Sequence, residues 1–294
     1  MGNRTLFLAS WGFTAAAIAQ RFAHEGWHIL ASTRQTDTAD HITALGFEPI
    51  LIAGPDVDRD AQLALACQRA DAIVITVPPV GGVDPFIDAF TAMSQPLPWL
   101  GYLSTTGVYG DYKGDWVDEA SPLKPDNQRS IDRVAAEQGW QSLGARIFRL
   151  PGIYGPGRNA FTRLRAGAPV YDKPGHVFSR VHIDDIAGAI WCAVNRPDIE
   201  GVFNIADNEP ASQVELMQAA AKMIGAPAPD IRPYDPEAMT PMQASFYTSC
   251  RRVSNARAKS VLGWSPVYAS WREGLRADLN AEGGGVKAAA LNPG

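Results

Sequence analysis

Six apolar runs of strand length recur through the first half of the chain: Leu6–Ala9, Trp27–Ala31, Pro49–Ile52, Ala72–Val77, Trp99–Leu103 and Ala145–Leu150. Each lies close to a turn signal such as Gly26, Gly46, Gly54, Pro78-Pro79 or Gly144. Between the first two runs, Ala15, Ile18, Ala19 and Phe22 return at helical spacing, and Gly26 is placed to end that helix. Strand and helix in repeated alternation predict a parallel sheet, buried on both faces by helices that cross over right-handedly. Val202–Ile205 is expected to extend it. The apolar start, Thr5–Phe22, is a strand, turn and helix on this reading. Gly12 interrupts it and Gln20-Arg21 ends it short of the ~20 residues that a membrane span needs.

Beyond Leu150 the pattern changes. Pro151, Gly152, Gly155, Pro156 and Gly157 crowd together too densely for a regular element. A second helical zone opens at Ser212, which has capping-box spacing to Glu215 ahead of Leu216, Ala220 and Ile224. Pro227–Pro241 is proline-rich and reads as irregular, and Gly283–Gly294 reads as a loose end with little to bury.

The chemistry of the 294 residues narrows the partners. A hydrophobic share of 46% and a charged share of 19% are those of an ordinary globular protein. A net charge of −5 offers no footprint for nucleic acid or an anionic membrane. Cys67, Cys192 and Cys250 form no CxxC pair, and the five histidines show no HxH or HExxH spacing. No disulfide framework or metal site is expected, and a reducing, cytoplasmic setting fits. Asp184-Asp185 reads as a helix start, not as a metal pair.

The turn after the first run reads Ala9-Ser10-Trp11-Gly12-Phe13-Thr14-Ala15. Ser10, Gly12 and Ala15 stand at the three positions of a GxGxxG, where the backbone turns tightly and a helix N-terminus offers free N–H groups to phosphate. This predicts dinucleotide binding through Ser10, Gly12, Phe13 and Thr14. The second run ends Ser32-Thr33-Arg34, about 20 residues beyond Gly12, where NAD binders carry a carboxylate. Arg34 instead offers a permanent, planar cation suited to a 2′-phosphate, and Thr33 a hydroxyl, so NADP is expected over NAD. The plainer use of Arg34 is as a solvated surface charge.

Ser104-Thr105-Thr106-Gly107-Val108-Tyr109-Gly110 and Arg149-Leu150-Pro151-Gly152-Ile153-Tyr154-Gly155-Pro156-Gly157-Arg158 follow in order. Val181-His182-Ile183-Asp184-Asp185-Ile186-Ala187, Gly201-Val202-Phe203-Asn204-Ile205-Ala206 and Leu262-Gly263-Trp264-Ser265-Pro266 come after them. Together, nearly to Leu279, they resemble the extended short-chain dehydrogenase/reductases, the NAD-dependent epimerase/dehydratase family. The resemblance implies an α/β fold: a Rossmann-type doubly wound parallel sheet from 1–150 and 178–206. A smaller C-terminal substrate lobe is implied from 151–177 and 207–294, with a small-molecule substrate in the cleft and a monomer or homodimer as the assembly. It adds Val77, Pro78, Thr105, Arg133 and Pro151 to the cofactor side. To the substrate side it adds Thr106, Tyr154, Arg158 and Arg180.

The chain departs from the family where catalysis should sit. Members use a Ser or Thr after the fifth strand and a Tyr-x-x-x-Lys pair on the next helix. Thr105 fits the hydroxyl, but alignment through Ala136-Glu137 puts Arg129 in the tyrosine position and Arg133 in the lysine position. Arginine does not release its proton near neutral pH. The literal Tyr109-x-x-x-Lys113 is interrupted by Gly110 and followed by Gly114, so it is a loop and not one helical face. Tyr109 or Tyr112 leaning into the cleft is the candidate substitute acid; packing is the other use of either. Arg158, Arg180 and His182 have two readings as well, binding an anionic substrate or tying loops together. For the whole chain two functions stay open, an atypical NADP-dependent oxidoreductase or epimerase/dehydratase-like enzyme on a small polar substrate, and a non-catalytic NADP-binding sensor or regulator.

Overall fold

A computed structural model gives the structure of the protein and describes residues 4–93 and 95–290. Every apolar run becomes a strand of one sheet. The strands are β1 (Thr5–Ala9), β2 (His28–Thr33), β3 (Glu48–Leu51), β4 (Ala72–Ile75), β5 (Trp99–Thr105), β6 (Arg146–Leu150) and β7 (Val202–Asn204). Their spatial order is β7-β6-β5-β4-β1-β2-β3, and every neighbouring pair is parallel. Chain order reverses at β1, which lies between β2 and β4. At such a switch the loops leaving adjacent strands diverge and open a crevice at the carboxyl ends.

Alternation along β1 explains why both faces need helices. Leu6 and Leu8 pack on one side with Ile18 and Phe22 of the first helix (Phe13–His24) and with Ile186 and Ile190 of helix Ile183–Val194. Phe7 and Ala9 face the opposite side, with Leu63, Phe90 and Trp140. A fully buried side chain of this size contributes about 1.5–3 kcal/mol, so each face is a core in its own right.

A third cluster lies beyond the sheet, built from Phe161, Val170, Leu216, Met217, Trp271 and Leu275. Helix Gln213–Met223 starts where its cap predicts, with the Glu215 N–H donating to Ser212 Oγ at 3.0 Å. The proline-rich 227–241 stretch holds a three-residue strand, Ile231–Pro233, and a short 3-10 turn, Pro236–Ala238. Two expectations are corrected. Ala258, Leu262 and Trp264 pack in the sheet's core, not in the lobe, because the Trp264 indole N–H reaches back to the Asp185 carbonyl at 3.1 Å. The stretch expected to be loose from Gly283 continues helix Trp271–Ala290 instead; residues 291–294 lie outside the described part.

Candidate functional site

The first βα turn sits at the carboxyl end of β1, at the reversal of strand order. Ser10, in the first glycine position, adopts a φ of 88°, a conformation that side chains other than glycine rarely take. Two hydroxyls hold it there. The Ser10 N–H donates to Ser32 Oγ at 2.8 Å, and Thr76 Oγ1 donates to the Ser10 carbonyl at 2.7 Å. The first helix then begins at Gly12, with no side chain capping it and no acidic residue in its first turn among the described residues. Its first backbone bond runs from the Ala16 N–H to the Gly12 carbonyl at 2.9 Å. The N–H groups of Phe13, Thr14 and Ala15 therefore have no helical partner. A Cβ on Gly12 would meet nothing within 4 Å. Open space in front of uncapped N–H groups and a positive helix end fits a pyrophosphate.

Thr33 ends β2, and its Oγ1 accepts from the Gln35 N–H at 3.2 Å, which turns the chain into helix Thr36–Ala44. Arg34 stands exposed between the two and makes no hydrogen bond or ion pair among the described residues. Val77 and Pro78 follow β4 at the same edge of the sheet.

At the carboxyl ends of β5 and β6 lies a cavity of about 340 Å³. It brings Thr105, Thr106, Arg133, Pro151 and Arg158 together, with Arg129 and Arg251 added. Thr105 Oγ1 accepts from the Gly107 N–H at 3.1 Å, which leaves its own proton available to a ligand. Arg133, nearly buried, spends Nη1 on the Leu103 carbonyl at 2.7 Å and the Tyr102 hydroxyl at 3.2 Å. Arg129 is exposed at the start of helix Gln128–Ser142. Arg158 lies over the Phe13 ring, 5.5 Å from its centroid, so this loop touches the first βα turn directly. Among the described residues no aspartate or glutamate lines this cavity.

Tyr109 does not lean into the cleft, a correction to its expected role as substitute acid. It is fully buried; its hydroxyl donates to Asn204 Oδ1 at 2.8 Å and accepts from Arg149 Nη1 at 3.0 Å. Burial also pushes its pKa up. Arg149 in turn holds Glu137 through Nε and Nη2 at 3.0 and 2.7 Å, so Tyr109 belongs to a buried network that pins helix Gln128–Ser142 to β6. Tyr112 donates to the Pro122 carbonyl at 2.7 Å. The stretch between them is a loop, as its glycines predict. A Cβ on Gly110, at a φ of 69°, would collide with the Lys124 carbonyl.

A second cavity, of about 420 Å³, lies in the lobe and is lined by Tyr154, Arg158 and Arg180. Tyr154 packs its buried hydroxyl, without a hydrogen-bond partner, against Gly274. Arg180 both lines the cavity and ties loops, through Nη1 to the carbonyls of Phe178 and Ala211 at 3.0 Å each. His182 only ties: Nδ1 accepts from the Asp184 N–H, and Nε2 meets Asp278 Oδ1, each at 3.2 Å. Asp185 is committed to the backbone N–H groups of Val267 and Tyr268, and burial pushes its pKa up to about 6. Sequence reasoning passed over Arg163, Phe178, Phe246, Tyr247 and Arg251, which line one cavity or both. Only the family alignment pointed at any of this region, since 227–247 carries no periodic signal.

No family model matches the chain. Among solved structures, a functionally unknown conserved protein from Silicibacter pomeroyi is 38% identical with a TM-score of 0.86, over 95% of this chain and 99% of that one. The dTDP-glucose 4,6-dehydratase of Bacillus anthracis, solved with NAD, is 18% identical with a TM-score of 0.74, over 94% and 96%. The human epimerase family protein SDR39U1, solved with NADPH, is 16% identical with a TM-score of 0.71, over 94% and 99%. Among sequence relatives, a Streptomyces 3-diazoavenalumate denitrifying reductase is 30% identical over 172 residues. That match covers 54% of this chain and 55% of the reductase, so it spans about half the length of that relative. Protein YeeZ of Escherichia coli K12 is 29% identical over 238 residues, 75% of this chain and 84% of that one. The chain belongs to one family with the Silicibacter pomeroyi protein, and its fold is that of the NAD-dependent epimerase/dehydratases among the short-chain dehydrogenase/reductases.

Proposed function

We propose that this protein is an NADP-dependent oxidoreductase, or an epimerase/dehydratase-like enzyme, acting on a small molecule held between the sheet edge and the lobe. The observation that carries the reading is the turn at Gly12: uncapped N–H groups, open space and no carboxylate, with Arg34 unpaired at the end of β2. The complexes of the two structural neighbours with NAD and NADPH support a nicotinamide cofactor. The reductase relative supports redox chemistry.

The bound nicotinamide would supply or take up the hydride. This chain's residues would place the substrate oxygen and hold its charge. Thr105 can donate one hydrogen bond to that oxygen. Arg129 offers fixed positive charge, which stabilises a developing oxyanion without giving up a proton. A second reading, a non-catalytic NADP-binding protein, is favoured by one observation: among the described residues no tyrosine lines the cavity around Thr105.

Consumption of NADPH across a panel of carbonyl substrates separates the two. Removing one positioned hydrogen-bond donor costs roughly 10²–10³ in rate, and Thr105→Ala should show that loss. An identical background rate for wild type and variant on every substrate, with NADPH binding intact, would leave the binding-protein reading standing.

A further inference from the structure

The cavity in the lobe is walled mainly by aromatic and aliphatic side chains, a lining better suited to a flat apolar body than to a polyhydroxylated one. Six aromatic side chains face it: Tyr154, Tyr171, Phe178, Phe246, Tyr247 and Trp271. Leu216, Met239 and Leu275 fill the wall between them. Asn159, Thr162, Gln213 and Gln243 supply a few polar groups, but sugar hydroxyls seated against the rings themselves lose water without a partner there, which costs free energy for each such group. A flat apolar body suffers no such loss and stacks on rings with some gain. At about 420 Å³ the space is that of an ordinary small-ligand site.

Charge at the same cavity is one-sided. Arg158, Arg163 and Arg180 line it, and among the described residues no aspartate or glutamate does. Arg180 is taken up by loop carbonyls. Arg158 and Arg163 are exposed, and neither guanidinium makes a hydrogen bond or ion pair among the described residues. Two open guanidinium forks match a bidentate oxyanion, a carboxylate or a phosphate, and the aromatic wall beside them favours an anion carried on an aryl body. Arg158, Phe178 and Phe246 line both this cavity and the one around Thr105, so a ligand seated among the rings extends toward that hydroxyl.

We infer that the substrate is an aryl carboxylate and not a nucleotide-sugar, its ring system held by Phe178, Phe246 and Tyr247 and its carboxylate by Arg158 and Arg163. The assignment rests on the function proposed above, and its test is a binding measurement that needs no turnover. Titration calorimetry of the full chain, with and without saturating NADP, would compare 2-naphthoate, the neutral 2-naphthamide and UDP-glucose. The naphthoate should bind more tightly than the amide, and UDP-glucose should not displace it. Arg163→Ala and Arg158→Ala, both at exposed positions, should each weaken naphthoate roughly ten- to hundredfold, as loss of a charge-assisted hydrogen bond does. Neither should move the amide. Phe246→Ala should weaken acid and amide alike, several-fold.

Tighter binding of UDP-glucose, equal losses for acid and amide in the arginine variants, or no naphthoate binding overturns the assignment. NADPH fluorescence titration of the same samples keeps the two readings apart. Intact NADPH binding without naphthoate binding removes the substrate class alone, and the reverse result removes the cofactor.

Discussion

Arg34 and Ser10 show how much a single residue decides at the first βα turn and the end of β2. Ser10 is held in a glycine-like conformation only because Ser32 and Thr76 grip it from both sides. Strain of this kind, about 1–3 kcal/mol, persists where surrounding bonds over-determine it. Arg34 has no such partners among the described residues, so no hydrogen bond or ion pair there depends on its charge. A contact with a 2′-phosphate contributes about 1.5–3 kcal/mol. Arg34→Ala is therefore expected to weaken NADP roughly ten- to hundredfold in titration calorimetry and to leave NAD almost unchanged. Equal losses for both cofactors would mean that Arg34 serves the loop and not the phosphate.

Among the elements, helix Trp271–Ala290 carries the closest fit. Alanine is normally better than glycine inside a helix by about 1 kcal/mol. At Gly274 the order reverses, because a Cβ would run into the buried Tyr154 hydroxyl and ring. Gly274→Ala should lower stability by about 1–3 kcal/mol, the usual cost of overpacking. Tyr154→Phe in the same chain should return part of that loss by removing the oxygen. Thermal unfolding of the two single variants and the double variant checks this; strict additivity would show that the two residues do not meet. Helix Gln128–Ser142 is positioned differently, by the Glu137–Arg149 pair and the Tyr109 hydroxyl behind it. That is why the tyrosine expected in the cleft serves the framework instead.

For the whole molecule, pH acts through the buried carboxyls at the joint between sheet and lobe. Burial lifts Asp207 from 3.8 to about 7, with Arg180 nearby offsetting only part of the effect. Between those values the folded protein holds a proton that the unfolded chain has released, so stability falls as pH rises through that window and stays lower above it. Asp207→Asn removes the penalty and keeps an oxygen for the Glu209 N–H, now 3.1 Å away. The variant should match wild type near pH 4 and exceed it by on the order of 1–3 kcal/mol at pH 8. Urea midpoints at the two pH values measure this, and an equal gain at both would show that Asp207 is not the group responsible.

Periodicity and local backbone chemistry were enough to predict the seven parallel strands, the first helix, the Ser212 cap and the loop character of 109–113. Each depends on residues within a few positions of one another, so the chain states them directly. The family motifs added Thr105, Thr106, Arg133 and Pro151, and folding brings all four to one cavity. Tyr109 could not be read this way. Its fate is set by Arg149 and Asn204, which arrive from β6 and β7. The aromatic wall is equally non-local, since Tyr154, Phe178, Phe246 and Trp271 come from four separate segments. Which side chains enter a cleft depends on which burial and hydrogen-bond partners the tertiary packing has already claimed, and no local pattern records that competition.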